Sequence, residues 1–212
     1  LEHLWTPDMT IYVDAHTGND SNDGLTSSTP KLTLSAADTL RAASSGDRCV
    51  IYLSGRFQVS AQPFASSDAI DYTRYMAWPG RTRPLITTAT QTKTYIADTG
   101  TRYYVESVTT EPAWVSLAND HWELGYKTTS AANCSTYNST IPNTPFSWWR
   151  DSGTDRLYID YGSTAAIRYI DIIPSGQEYS CFTPSADMVS YWGITIQGFA
   201  TGTNTNYSPI HA

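Results

Sequence analysis

Charge is scarce in this 212-residue chain. Asp, Glu, Lys and Arg make up 16% of it, and the lysines number three: Lys31, Lys93 and Lys127. The formal net charge is −7. Nucleic acid and anionic membrane are not expected as partners on this ground, since binding them by counterion release needs a basic patch. Cysteine is also rare, with Cys49, Cys134 and Cys181. An odd count cannot close a disulfide framework. Cys49, inside C-V-I-Y-L, reads as a small buried hydrophobe. Whether Cys134 and Cys181 pair stays open. No apolar run is long enough to span a bilayer, and there is no signal peptide. The chain begins at Leu1 and reads as a mature, trimmed or engineered piece, so the missing signal says little about secretion. A Gly-rich phosphate loop and a G-x-S-x-G elbow are both missing. His3, His16, His121 and His211 show no metal spacing and read as surface histidines.

What the chain does have is Ser, Thr, Asn and Tyr in abundance, a composition that suits a β-rich extracellular or virion protein. Residues 1–10 form an arm with Trp5 as its aromatic anchor. A strand at 11–13 runs into 14–24, a loop rich in Asn, Asp and Gly that tolerate left-handed backbone. Residues 35–43 read as a short amphipathic helix with Ala36, Ala37, Leu40 and Ala43 on or near one face. Ser35 caps it, with Asp38 three residues on, and 44–47 stops it. Residues 49–53 are then a near-continuous apolar strand, as expected where parallel strands stack inside a core. A strand, Pro-Gly turn and strand follow over 74–88. From about 103 the pattern changes to short strands at 103–108, 114–117, 121–124, 146–150 and 156–159, with a Ser/Thr/Asn/Pro loop at 133–145. Strands at 167–173 and 189–199 close the series.

The order I-Y-V-D-A-H-T-G-N-D-S-N-D-G, then Pro, helix, Gly-Asp and C-V-I-Y-L-S-G-R-F resembles the N-terminal entry of the right-handed parallel β-helix proteins, the pectate-lyase-like superfamily. W-P-G-R-T-R-P-L-I and G-I-T-I-Q-G-F resemble coil segments of the same family. The resemblance covers 11–57, 74–88 and 189–199, and is weak over 101–165. It implies an all-β fold: the start of a right-handed parallel β-helix, with a short N-terminal capping helix and a β-rich insertion. The domains expected are the arm at 1–10, cap and first coils at 11–100, the insertion at 101–165 (or, as the alternative, a longer and irregular set of coils there), and further, truncated coils at 166–212. In such a stack, inward residues form a continuous core (Val50 and Tyr52, or Ile51 and Leu53; Ile194 and Ile196). One coil cannot bury its face alone. The helix would cover the open end, whose bare backbone invites aggregation, and the crossover preference supplies the hand.

Chemistry is harder to place. Asp14, Asp20 and Asp23 sit close in sequence, and alternating carboxylates and amides can wrap Ca²⁺. An EF-hand is ruled out because the twelfth position counted from Asn19 is Pro30. The favoured reading is a loop whose side chains satisfy nearby backbone N–H groups, with no cofactor. Trp122, Trp148, Trp149 and Trp192 are the candidate glycan-binding residues, with Trp114 and Tyr191 also in the aromatic set. Flat rings on a β surface stack against the apolar C–H faces of sugars. In S-W-W-R one ring should face inward and the other outward. Acid–base candidates are scattered: Glu106, Glu111, Asp120, Glu123, Asp151, Asp155, Asp160, Asp171, Glu178 and Asp187. Glycoside cleavage needs two carboxylates at a set separation, which spacing in sequence does not supply. The polygalacturonase-type and pectate-lyase-type catalytic signatures of the family are missing. Asn19, Asn133 and Asn138 head N-x-[ST] sequons, which matter for a eukaryotic secretory origin.

Two readings follow. The preferred one is an extracellular, cell-surface or virion module of tailspike or adhesin type. It would bind glycan or serve assembly, with a homotrimer or virion proteins as neighbours. The alternative is the N-terminal part of a secreted polysaccharide lyase or glycoside hydrolase whose catalytic residues lie beyond this chain.

Overall fold

The computed structural model describes residues 6–44, 48–59, 63, 72–92, 94–117, 123–124, 126–130, 134, 146–160, 170–174 and 189–197. They are mostly β, with helix α1 at Leu34–Ala42. The strands, in chain order, are β1 Met9–Asp14, β2 Cys49–Ser54, β3 Arg56–Gln58, β4 Thr73–Ala77, β5 Leu85–Thr87, β6 Thr90–Thr92, β7 Ile96–Ala97, β8 Arg102–Val105, β9 Pro112–Leu117, β10 Glu123–Leu124, β11 Tyr126–Lys127, β12 Ser147–Asp151, β13 Arg156–Asp160, β14 Ile170–Pro174, β15 Ser190–Trp192 and β16 Thr195–Gln197. The chain divides into two compact units, one formed by Leu1–Thr88 and Glu178–Ala212, the other by Ala89–Gln177.

The first unit is built from parallel strands. One sheet runs β1-β2-β4-β15 and a second runs β16-β5-β3. Three stretches each supply a strand to both: β2 and β3, β4 and β5, β15 and β16. The register stacks like on like. Ile11, Ile51, Tyr75 and Tyr191 form one row, and Phe57, Ile86 and Ile196 form another. Ile11, Cys49, Ile51, Leu53 and Ile86 are fully buried, and Ile194 and Ile196 join the same core. The inward set of β2 is therefore Cys49, Ile51 and Leu53, while Tyr52 faces the other way. Burying one such side chain stabilises by about 1.5–3 kcal/mol. The tyrosines of the row stack, with Tyr75 and Tyr191 ring centroids 5.3 Å apart at 9°.

The corner between the sheets needs a small residue with left-handed backbone. Gly193 has φ 67°, and a Cβ there would lie 3.0 Å from the Ala77 Cβ of the strand beside it. This corner splits the expected strand at 189–199 into β15 and β16.

The loop after β1 covers the sheet edge. Tyr12 N donates to Gly24 O at 2.8 Å, Asp14 N to Lys31 O at 2.9 Å, and Lys31 N to Tyr12 O at 2.9 Å. The edge backbone is thus satisfied by the Asn/Asp loop, while α1 adds Leu34 and Ala37 to the core. The helix differs in detail from expectation. Its N-cap is Thr33, whose Oγ1 accepts from Ala36 N at 3.2 Å, so the cap is not Ser35. The buried stripe is Leu34, Ala37, Asp38 and Arg41. Two of these are polar, which hid the stripe from an apolar count. Tyr75 OH donates to Asp38 Oδ1 at 2.8 Å, and Arg41 Nε to Thr73 Oγ1 at 3.0 Å. Of the expected N-terminal arm, Met9 and Thr10 belong to β1, and Trp5 lies outside the described residues. Asp8 and Arg48 form a two-point ion pair, with Nε–Oδ2 and Nη2–Oδ1 both 3.0 Å.

The second unit is mostly antiparallel. A five-stranded sheet runs β11-β12-β13-β8-β7 and a four-stranded sheet runs β10-β9-β14-β6. Side chains from both share one core: Val105, Trp148, Leu157 and Ile159 from the first, Val115 and Ile172 from the second, with Phe146. This is the face-to-face packing of two sheets. The strand expected at 167–173 as a return to the coil is β14, which pairs antiparallel with β9 and β6. An apolar run such as I-D-I-I reads alike in a parallel coil and an antiparallel core. The compact unit that holds β14 spans Ala89–Gln177.

Candidate functional site

In the first unit, the face of the parallel sheet opposite the core carries a second row in register: Tyr12, Tyr52, Met76 and Trp192. Alternation along each strand puts it there, because the inward row is one residue away on every strand. Trp192 is 55% exposed, the highest value among the exposed large apolar side chains described. Tyr12 and Tyr52 stack with centroids 5.6 Å apart at 29°, and Tyr12 also meets Trp78 at 4.9 Å. The Arg81 guanidinium lies 4.9 Å over the Trp78 ring. Parallel strands lie about 4.8 Å apart, so the row is a rigid strip of aromatic and thioether surface crossing four strands. Such a strip can stack on the C–H faces of sugar rings while the phenol hydroxyls supply hydrogen bonds.

The second unit carries its own row on the outer face of the five-stranded sheet. Trp149, Tyr158, Tyr104 and Ile96 are cross-strand neighbours. Trp148 points the other way and is buried, at 2% exposure. The W-W pair thus splits between faces, and Trp148 offers no free ring face to a glycan: it fills the core between the two sheets. Trp149 is half-buried and stacks on Tyr158. Trp122 lies outside the described residues. Trp114 is placed in β9. Among the candidate tryptophans whose side chains are described, Trp192 and Trp149 are the accessible rings, one in each unit.

The carboxylates are engaged as acceptors. Glu106 pairs with Arg156, Glu111 with Lys127 and Asp155 with Arg150. Asp160, buried at 2%, accepts from Thr101 Oγ1 at 2.7 Å, and buried Asp171 from Gln91 Nε2 at 3.2 Å. Asp151 accepts from Gly153 N and Thr154 Oγ1, and these donors lower its pKa. Glu123 is placed in β10, while Asp120, Glu178 and Asp187 lie outside the described residues. Glu106, Glu111, Asp151, Asp155, Asp160 and Asp171 thus each have a local partner.

The loop aspartates likewise serve the backbone. Asp14 Oδ1 accepts from His16 N and Thr17 N. Asp20 accepts from Leu32 N, Thr33 N and Thr33 Oγ1. Asp23 accepts from Leu25 N and Thr29 Oγ1. Burial raises the pKa of Asp14 and of Asp20, but the donated hydrogen bonds together outweigh it and both end lowered. Asp23 is lowered chiefly by Thr29. Among the described residues no three His, Cys, Asp or Glu side chains gather as a metal site. Asp20 ties the loop to the helix N-cap, Thr33. Of the cysteines, Cys49 and Cys134 are buried free thiols, and burial pushes Cys134 up. Among the described residues no helix is long and apolar enough to cross a membrane.

Sequence reading does not single out Tyr12, Tyr104 or Tyr158, and it names Tyr52 only as a possible core residue. The signal was present in the alternation of I-Y-V, V-I-Y-L, Y-Y-V and L-Y-I. It becomes legible as a row only once the strand partners are known.

No family model matches the chain, and no curated protein sequence does. Likeness is found among solved structures. One, XylC in complex with xylose, matches at 15% identity with a TM-score of 0.56, over 91% of this chain and 36% of that one. Another, described as a glycoside hydrolase, matches at 11% identity with a TM-score of 0.60, over 91% of this chain and 51% of that one. The chain spans about a third and about half the length of these two proteins. At such identities the likeness shows a shared fold.

Proposed function

We propose that the chain is a right-handed parallel β-helix scaffold that engages a neutral polysaccharide, as part of a polysaccharide-degrading protein working outside the cell or at its surface. The observation that carries this reading is the outward row Tyr12–Tyr52–Met76–Trp192 on a parallel sheet, in which Trp192 is exposed and the other three are half-buried. Support for the helix comes from the three stretches that each feed both parallel sheets, with a corner between. Support for the polysaccharide comes from the fold likeness to a glycoside hydrolase and to a protein holding xylose. The same likeness favours the enzyme-associated reading over the virion or adhesin one. The role assigned to these residues is binding and support, because the carboxylates with local partners are committed to structure.

Affinity electrophoresis of the full chain in xylan, mixed-linkage β-glucan and polygalacturonate tests this. Retardation by a neutral polymer is expected, and it should weaken measurably in Trp192→Ala. A chain that runs freely in both neutral polymers, or a Trp192→Ala variant with unchanged affinity, refutes the assignment.

A further inference from the structure

We propose that the unit Ala89–Gln177 holds a second binding face, separate from the row of the first unit, for a neutral, hydroxyl-rich glycan. Its elements are Trp149, Tyr158 and Tyr104, carried on β12, β13 and β8 in direct register. All three are half-buried, so they are neither core nor fully free. Their centroids step by 5.8 Å from Trp149 to Tyr158 and again by 5.8 Å from Tyr158 to Tyr104. The first pair is near-parallel at 24° and the second tilted at 48°.

The ring faces are partly used within the row. The Arg156 guanidinium lies 4.4 Å over Tyr104, and that of Arg102 lies 5.6 Å from Tyr158. The Arg156 guanidinium also donates to the Tyr158 phenol oxygen, which keeps its own O–H to donate, so the row meets a ligand mainly through edges: phenol hydroxyls, an indole N–H and guanidinium N–H groups. These are donors and acceptors at the spacing of adjacent strands, which suits a chain of hydroxyls. Rings locked against each other and against arginines lose little further freedom on binding.

Charge selects the ligand class. Arg102 pairs with Asp98 and Arg156 with Glu106, so both guanidiniums of the face are neutralised in place. Asp151 stands opposite Arg156 in register. A uronate or sulfated sugar would meet carboxylates there, and among the described residues of the face both guanidiniums are already paired. A neutral glycan meets no such opposition.

The competing explanation is that the rings only staple the sheet, since cross-strand aromatic pairs stabilise by about 0.2–1 kcal/mol. Calorimetric titration of the full chain with xylohexaose, cellohexaose and a galacturonate hexamer separates the two. Two sites for a neutral hexamer are expected in the wild type. One is expected in Trp192→Ala, and one in Trp149→Ala. Tyr158→Phe keeps the ring pair and removes the phenol oxygen together with its hydrogen bond from Arg156, so it should weaken the second site several-fold with at most a small drop in melting temperature. Loss of sites in Trp192→Ala alone, with Trp149→Ala and Tyr158→Phe binding as the wild type does, overturns this inference and leaves the first-unit reading standing. Loss in Trp149→Ala alone does the reverse. Tighter binding of the galacturonate hexamer overturns the assignment to a neutral ligand.

Discussion

In the unit formed by Leu1–Thr88 and Glu178–Ala212, the strand pairs β1–β2, β2–β4, β4–β15, β3–β5 and β5–β16 are all parallel. In Ala89–Gln177 every described pair but β11–β12 is antiparallel. The difference shows in how each unit fixes register. Parallel stacking puts equivalent positions over one another, so the inward row and the outward row both repeat at each step. A wrong register by one residue would turn the whole row to the other face. The antiparallel unit has no such repetition and relies on a compact core around Trp148 and Phe146. The parallel unit also tolerates a long interruption: β15 pairs with β4 although the whole second unit lies between them in sequence. That is physically reasonable, because each doubling of a closed loop costs only about 0.6 kcal/mol.

The largest expected effect comes from removing the centre of the antiparallel core. Trp148→Ala deletes a ring with 2% exposure and should cost about 3–5 kcal/mol. Hydrogen exchange should then accelerate across β8, β12 and β13 while β1 and β2 keep their protection. Equal acceleration in both units would break the comparison, since the two would then share one cooperative transition.

A smaller effect should appear in acid, and it should fall on the other unit. Asp8, Asp14, Asp20 and Asp23 of the first unit all have lowered pKa values. In the second unit, Asp151 is the described counterpart. A carboxylate lowered in the folded state adds stability that is complete above its ordinary value of 3.8. That stability is lost as pH falls below 3.8 through the folded value. Pepsin cleavage followed as the pH is lowered should therefore open the loop at 15–33 before it opens 146–160. First cuts within 146–160 would reverse the order.

The same contrast governs what could be read in advance. The strands at 49–53, 84–88 and 189–199 stand out in the sequence because an apolar stretch with a Gly corner repeats. The observed β2, β5, β15 and β16 fall within those stretches or extend them by one residue. The helix was visible, but its cap was placed two residues late, because Asp38 and Arg41 are buried polar groups that periodicity counts as outward. In the second unit β8, β9, β12 and β13 were visible as strands, but their partners were not. Nothing local in L-Y-I-D says that Tyr158 lies between Trp149 and Tyr104. Candidate tryptophans could be named from composition. Which of them are accessible depended on the face each strand turns to the core, and that is set by pairing far away in sequence.

The central claim is that the outward row of the parallel sheet meets a sugar. It is tested most directly by titrating xylohexaose into the isotope-labelled chain and following the indole N–H signal of Trp192 by NMR. A saturable shift of that signal, with the ring signals of Tyr12 and Tyr52 moving over the same concentration range, is the predicted result. A Trp192 signal that stays fixed while the hexamer saturates the protein, or a spectrum that does not respond at all, would contradict it.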